Sequence, residues 1–214
     1  MHDKYLMKLS DNLLLGATIR FSKNGWLLLS SGKKIVFFYN PFTRATIRLP
    51  DLPDGHTLGG ISFSSLATSP GCVVIAISNW HDWVRHSDIS FLVTETGKSA
   101  KCWTTTPTPS FDYESLQESG TTGTSMHDFM PCINNPVFYK GDFYCLDYNG
   151  MLGVLSAKGD DFSWKILPKS LKQFSAIYPS YLVECDDKLL LINVGQSGKS
   201  IEIYRLDEPK MVWI

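Results

Sequence analysis

The sequence has little charge and no surplus of either sign. Of its 214 residues 19% are charged, and 20 Lys and Arg against 21 Asp and Glu leave a formal net charge of −1. No global field draws such a chain to nucleic acid or to an anionic membrane surface, so neither is expected as a partner. Long hydrophobic runs are also missing. The apolar runs, such as Cys72 to Ile77 and Leu189 to Ile192, are strand-sized, far below the roughly 18 residues that a membrane span needs. Near the N-terminus, Tyr5-Leu6-Met7-Lys8-Leu9 is interrupted by Lys8 before a secretory signal core can accumulate. The five cysteines (Cys72, Cys102, Cys132, Cys145, Cys185) are odd in number, far apart and without a CxxC pair, which speaks against a disulfide framework and a zinc ribbon. No Asn-x-Ser/Thr acceptor occurs. These absences together point to an intracellular chain, cytoplasmic or nuclear.

What the sequence does contain is aromatic and apolar. Hydrophobic residues make up 43%, aromatics 13%, with twelve Phe and six Trp, enough to bury a sizeable core. Many aromatics with few charges are typical of short, half-buried strands. One unit recurs along the chain. Gly25 to Ser30, Ile35 to Asn40 and Ala45 to Pro50 read as three strands separated by Ser31-Gly32-Lys33-Lys34 and Pro41-Phe42-Thr43-Arg44. Pro136 to Tyr139, Phe143 to Tyr148, Met151 to Ser156 and Trp164 to Pro168 repeat that order with a fourth strand, and Asn149-Gly150 between the middle two predicts a type I′ hairpin turn. A third copy runs through Tyr181 to Glu184, Leu189 to Val194, Ser200 to Leu206 and Met211 to Ile214.

A period of about 40–50 residues made of four short antiparallel strands is the spacing of propeller blades; helical solenoids would need a 3.6-residue periodicity that is not there. A less regular copy lies between the first and the later ones: Ile61 to Leu66, Cys72 to Asn79, Ile89 to Thr94 and an outer strand ending in Trp103, as the later copies end in Trp164 and Trp213. Packing between blades is the favoured role for these tryptophans over stacking on a ligand. Residues 104–135, rich in Thr, Ser, Pro and Gly, read as a long loop or a partly disordered excursion, with Phe111 to Leu116 open to a short helical turn or an extended edge. Residues 1–21 form an N-terminal segment with room for one strand of the first blade. The last residue, Ile214, falls inside a strand pattern with no closing strand. The expected fold is therefore all-β: a partial β-propeller of about four four-stranded antiparallel blades over residues 22–214, in an incomplete ring.

Two blocks carry a family resemblance. Gly25-Trp26-Leu27-Leu28, Phe37-Phe38-Tyr39-Asn40-Pro41-Phe42-Thr43 and Ile47-Arg48-Leu49-Pro50 form the first; Asn135-Pro136-Val137-Phe138-Tyr139-Lys140-Gly141 and Tyr144-Cys145-Leu146-Asp147-Tyr148-Asn149-Gly150 form the second. In this order they resemble the plant F-box proteins with a KIB-type, kelch-like β-propeller domain. The resemblance implies a non-enzymatic, substrate-recruiting arm of a cullin-type ubiquitin ligase, with an F-box that docks on a Skp-type adaptor and a propeller that presents a target-binding face. The match to that pattern is incomplete. Only about twenty residues precede the first blade, too few for a three-helix F-box, so a Skp-type adaptor is a partner only if an F-box lies outside this chain. True kelch repeats carry a Gly-Gly in every blade, whereas Gly59-Gly60 is the only such pair here.

No catalytic signature stands out, and no cofactor is implied. The densest polar constellation is Trp80-His81-Asp82-Trp83-Val84-Arg85-His86-Ser87-Asp88. His-x4-His on a hairpin loop lacks a fixed ring orientation, and no HExxH or Cys partner follows, so no metal site is assigned. The plain reading is an inter-strand loop. Exposed Trp and Arg dominate interface energetics, which makes Trp80, His81, Trp83, Arg85 and His86 the candidate partner-binding residues, the partner being an unknown target protein. Ser125-Met126-His127-Asp128 has the residue types of a triad but no G-x-S-x-G elbow. Glu184-Cys185-Asp186-Asp187 and Gly159-Asp160-Asp161 are turn carboxylates. Gly195 to Ser200 shares only the ending Gly-Lys-Ser with a phosphate loop and precedes a strand pattern. Two other readings stay open: a metal- or sugar-binding, enzymatic propeller that uses residues 81–88 with His127 and Asp128, and a truncated fragment without a function of its own, its edge strands unpaired.

Overall fold

Short runs of β-branched and aromatic residues separated by turn-forming pairs fold here as hairpins, and each hairpin pair closes into a four-stranded sheet. The computed structural model describes residues 14–80, 88–96, 102–107, 110–116, 122–129, 134–147, 150–158, 161–167, 179–210 and 212–214. The first blade is β1 (Thr18–Lys23), β2 (Trp26–Ser31), β3 (Ile35–Tyr39) and β4 (Thr46–Arg48). The second is β5 (His56–Phe63), β6 (Val73–Trp80), β7 (Asp88–Glu95) and β8 (Thr104–Pro107). A separate hairpin, β9 (Ser110–Leu116) with β10 (Thr122–Asp128), precedes the third blade, β11 (Val137–Tyr139), β12 (Asp142–Leu146), β13 (Leu152–Lys158) and β14 (Asp161–Leu167). The fourth is β15 (Ser180–Cys185), β16 (Lys188–Val194), β17 (Ile201–Asp207) and β18 (Val212–Trp213). Every blade is an antiparallel meander in chain order. The chain is an all-β propeller of four four-stranded blades, and β1 supplies the first blade's missing strand from the N-terminal side.

The two innermost strands of three blades are joined by two-residue turns with positive φ at both positions: Asn24-Gly25 (52° and 77°), Lys140-Gly141 (48° and 93°) and Asp186-Asp187 (49° and 57°). This is the type I′ geometry, whose twist matches that of the strands it joins. Asn149, and with it the type I′ expectation for Asn149-Gly150, lies outside the described residues. Asp147 and Met151 pair across the end of the β12–β13 hairpin, the Asp147 amide donating to the Met151 carbonyl at 2.9 Å and the Met151 amide to Asp147 Oδ1 at 2.7 Å. Gly150, at φ +79°, takes the left-handed conformation that glycine adopts without steric cost. In the first blade the Asn-Pro of the sequence block has a mechanical role. Asn40 Oδ1 accepts from the Phe42 and Thr43 amides at 2.9 and 3.0 Å, an Asx turn that bends β3 into β4.

The core lies in the seams between blades. Trp26, Leu28, Val36 and Phe38 of the first blade pack on Ile61, Phe63, Val74, Leu92 and Trp103 of the second. Phe63 is fully buried and meets Phe21 and Phe38 edge-to-face, at centroid distances of 5.5 and 4.9 Å. Ile75, Ile77, Phe91 and Val93 face Phe143, Cys145, Met151 and Leu155 across the next seam, with Trp164 between Phe91 and Phe129. Val137, Leu146, Val154 and Leu167 face Leu182, Leu189, Leu191 and Leu206, backed by Trp213. Each fully buried aromatic or aliphatic side chain contributes about 1.5–3 kcal/mol.

The inter-blade role expected of Trp103, Trp164 and Trp213 thus holds, but their common position does not. Trp103 precedes its outer strand, Trp164 sits mid-strand in β14, and Trp213 ends β18. The reading of residues 104–135 as a loop is also corrected, since β8, β9 and β10 fall within it, and of the two forms open to Phe111 to Leu116 the extended one is found, in β9. Phe111 and Tyr113 alternate there with polar residues, and threonines recur, so strand propensity prevails over the flexible composition. The Trp103 indole donates to the Pro50 carbonyl across the first seam at 2.8 Å, whereas Trp164 Nε1 is buried without a partner. Trp103→Phe is expected to cost about 1 kcal/mol more than packing loss alone, and Trp164→Phe no such increment; urea unfolding of the two variants compares them.

Candidate protein-interaction surface

The antiparallel order puts the β1–β2, β5–β6, β11–β12 and β15–β16 turns at one end of the blades and the β2–β3, β6–β7, β12–β13 and β16–β17 connections at the other. Side-chain contacts agree with this. Lys23 Nζ beside the β1–β2 turn donates to the Ser64 carbonyl after β5 at 3.4 Å and lies 5.5 Å from the Phe138 ring centroid.

At the second end, Trp80 closes β6 opposite His56 and Asp88. The other candidate partner-binding residues, His81, Trp83, Arg85 and His86, lie outside the described residues. His127 and Asp128 end β10, opposite Phe111 and Ser110. Sequence reading missed a pair here. His56 Nδ1 and Ser78 Oγ share a hydrogen bond of 2.9 Å, formed because the β5–β6 register brings residues 22 apart together, a relation that no local motif encodes. Ser78 is fully buried, so the pair has the geometry of a structural contact and gives a substrate no access to the hydroxyl. Burial lowers the His56 pKa below 6.5. A depressed histidine pKa leaves stability intact above about pH 6.5 and removes it as pH falls toward the folded-state value, because the unfolded chain takes the proton more readily. Melting temperature is expected to drop between pH 7.5 and 5.5, and His56→Gln to flatten that dependence.

Where the blades converge, one dipeptide ties them together. Asn135 Oδ1 accepts from the Ile61 amide of the second blade at 2.9 Å, and its Nδ2 donates to the Arg20 carbonyl of the first at 3.0 Å. Asn134 Nδ2 donates to the Ser180 carbonyl of the fourth blade. The dipeptide itself leads into β11 of the third. Gly60 makes room for it, since a Cβ at that position would overlap the Asn134 carbonyl. The lone Gly-Gly of the sequence is thus a close-approach site.

The first end carries the charged geometry. Lys140 Nζ bridges both carboxylate oxygens of Glu208 at 2.7 and 2.8 Å, and the Tyr139 hydroxyl sits 2.5 Å from Glu208 Oε1 and 2.9 Å from the Asp187 carbonyl. The hydrogen bonds from Lys140 and Tyr139 hold the Glu208 carboxyl below its ordinary range. Beside this cluster lies a groove of about 640 Å³ lined by Lys140, Lys188, Arg205, Asp207, Glu208 and Pro209. Asp207 meets Lys210 Nζ at 3.5 Å. On the β3–β4 turn at this same end, Phe42 is 85% exposed. Among the described residues no group of three or more His, Cys, Asp or Glu is placed to hold a metal ion, and no helix is long and apolar enough to cross a membrane.

The family model described as KIB1-4 beta-propeller matches residues 2–214. An F-box/kelch-repeat protein of Arabidopsis thaliana is 31% identical over 148 residues, covering 69% of this chain and 33% of that protein. A second F-box/kelch-repeat protein of the same plant is 27% identical over 215 residues, 98% of this chain and 54% of the relative. An F-box protein of that plant is 24% identical over 201 residues, 91% of this chain and 36% of the relative. The chain therefore spans from about a third to just over half the length of these relatives.

Proposed function

The chain belongs to the KIB1-4 beta-propeller family, and from that premise we propose that it is a non-enzymatic protein-interaction propeller that recruits a target protein to a cullin-type ubiquitin ligase inside the cell. The observation that carries this reading is the F-box in the names of relatives that share this propeller over most of the present chain. The exposed groups support it: an aromatic at one turn tip and basic side chains lining a groove are the residue types from which protein interfaces are built. Contact with a Skp-type adaptor belongs to an F-box, a helical unit, so the 214-residue chain by itself is expected not to co-purify with that adaptor.

The test is gain of function. An F-box of known adaptor affinity is fused upstream of the 214-residue chain and expressed in plant cells. The fusion is expected to cause ubiquitination and depletion of a small set of proteins that the F-box alone leaves untouched. A fusion that binds the adaptor and depletes nothing beyond the F-box control overturns the reading.

A further inference from the structure

Two of the groove's cations, Lys188 and Arg205, differ from Lys140 in their ion pairing. Glu208 is engaged by Lys140 and Tyr139, and Asp207 by Lys210; among the described residues Lys188 and Arg205 form no ion pair. Both are exposed. The β16–β17 register pairs Leu190 with Arg205, and Lys188 lies two residues from Leu190 along β16, on the same face. Lys188 and Arg205 are therefore diagonal neighbours on one face of the fourth blade, at about 7–8 Å between backbones. That face continues through Tyr181 and Ile203, 46% and 61% exposed, which flank Ile192 in the same register.

Resting on the protein-interaction reading, we infer that this groove receives an extended acidic segment of the partner protein, with carboxylates at alternate positions meeting Lys188 and Arg205. The spacing selects this ligand. Side chains at i and i+2 of an extended chain point the same way about 6.5–7 Å apart, close to the spacing of about 7–8 Å between the Lys188 and Arg205 backbones. Of the side chains that line the groove, Lys140, Lys188 and Arg205 are cationic and Asp207 and Glu208 anionic, and each of the two carboxylates has a lysine partner, so the lining carries a net positive charge. The apolar row beyond Arg205 suits apolar residues further along the same segment.

The probe is a fluorescein-labelled octapeptide of alternating Glu and Ser, followed by anisotropy against the 214-residue chain. Saturable binding is expected, weakening as salt rises through screening of exposed charges, and absent for the same peptide with Gln in place of Glu. Lys188→Glu with Arg205→Glu is expected to weaken binding about tenfold, the scale of losing two exposed charge contacts and reversing their sign. Lys33→Glu with Lys199→Glu, an equal charge change at the opposite end, is expected to leave it nearly unchanged. All four lysines and arginines are exposed, so matching melting curves confirm that the variants fold. No saturable binding, equal weakening by the distant pair, or displacement by submillimolar inorganic phosphate each overturns the assignment. In the fusion assay, depletion that survives the Lys188→Glu, Arg205→Glu change overturns the groove and leaves the recruiting role intact. Absence of depletion with the unaltered chain overturns the recruiting role on which it rests.

Discussion

Truncating Phe63 to alanine is expected to lower the free energy of unfolding by about 3–5 kcal/mol. The side chain is fully buried where the first two blades meet, with Phe21 and Phe38 edge-on against its ring. Its removal leaves a cavity bounded on both sides by sheets, which relax less readily than a loop, so the loss belongs at the upper part of that range. A typical domain has only about 5–15 kcal/mol in total. Phe63→Leu, which keeps most of the volume, is expected to lose less than half as much. Urea denaturation measures both. If Phe63→Ala costs no more than a surface change, the first two blades do not meet at this seam.

Replacing Asn135 by alanine is expected to cost about 2–4 kcal/mol, although the residue is only half-buried. The side chain satisfies two backbone groups in two different blades, the Ile61 amide and the Arg20 carbonyl, and each group left without its partner costs about 1–3 kcal/mol where water does not reach it. Gly60→Ala attacks the same junction from the other side, because its methyl group would occupy the place of the Asn134 carbonyl; a cost of about 1–3 kcal/mol is expected. The two changes disturb one contact region, so their combined effect is expected to fall short of the sum. Additive costs in the double variant would show that Gly60 and the Asn134-Asn135 dipeptide act separately.

The blades were legible because strand length, turn chemistry and aromatic spacing are local. Ile35–Tyr39 and Lys188–Val194 show themselves within a few residues. Turn identity was legible only in part. Asn149-Gly150 has the strongest hairpin signature, but Asn149 lies outside the described residues. Meanwhile Asn24-Gly25, with the same signature, makes the type I′ turn; reading β2 as beginning at Gly25 hid it. Residues 110–128 look like linker by composition because Ser, Thr and Gly outweigh apolar residues, and only the alternation about Phe111 and Tyr113 marks strands. The functional surface was the least legible. Lys188 and Arg205 are 17 positions apart, Lys140 and Glu208 are 68 apart, and strand register brings them to one groove. Asn135 is likewise recognisable in sequence as the start of a motif, but its bonds to Arg20 and Ile61 span 115 and 74 residues.

Calorimetric titration of the 214-residue chain with a protein depleted by the F-box fusion tests the recruiting account most directly. The account predicts a one-to-one complex that persists in a metal chelator and loses about a factor of ten in affinity with Lys188→Glu and Arg205→Glu. A complex or a turnover of substrate that requires stoichiometric divalent metal, and disappears with His81→Ala, would contradict it and establish metal-dependent chemistry in place of recruitment.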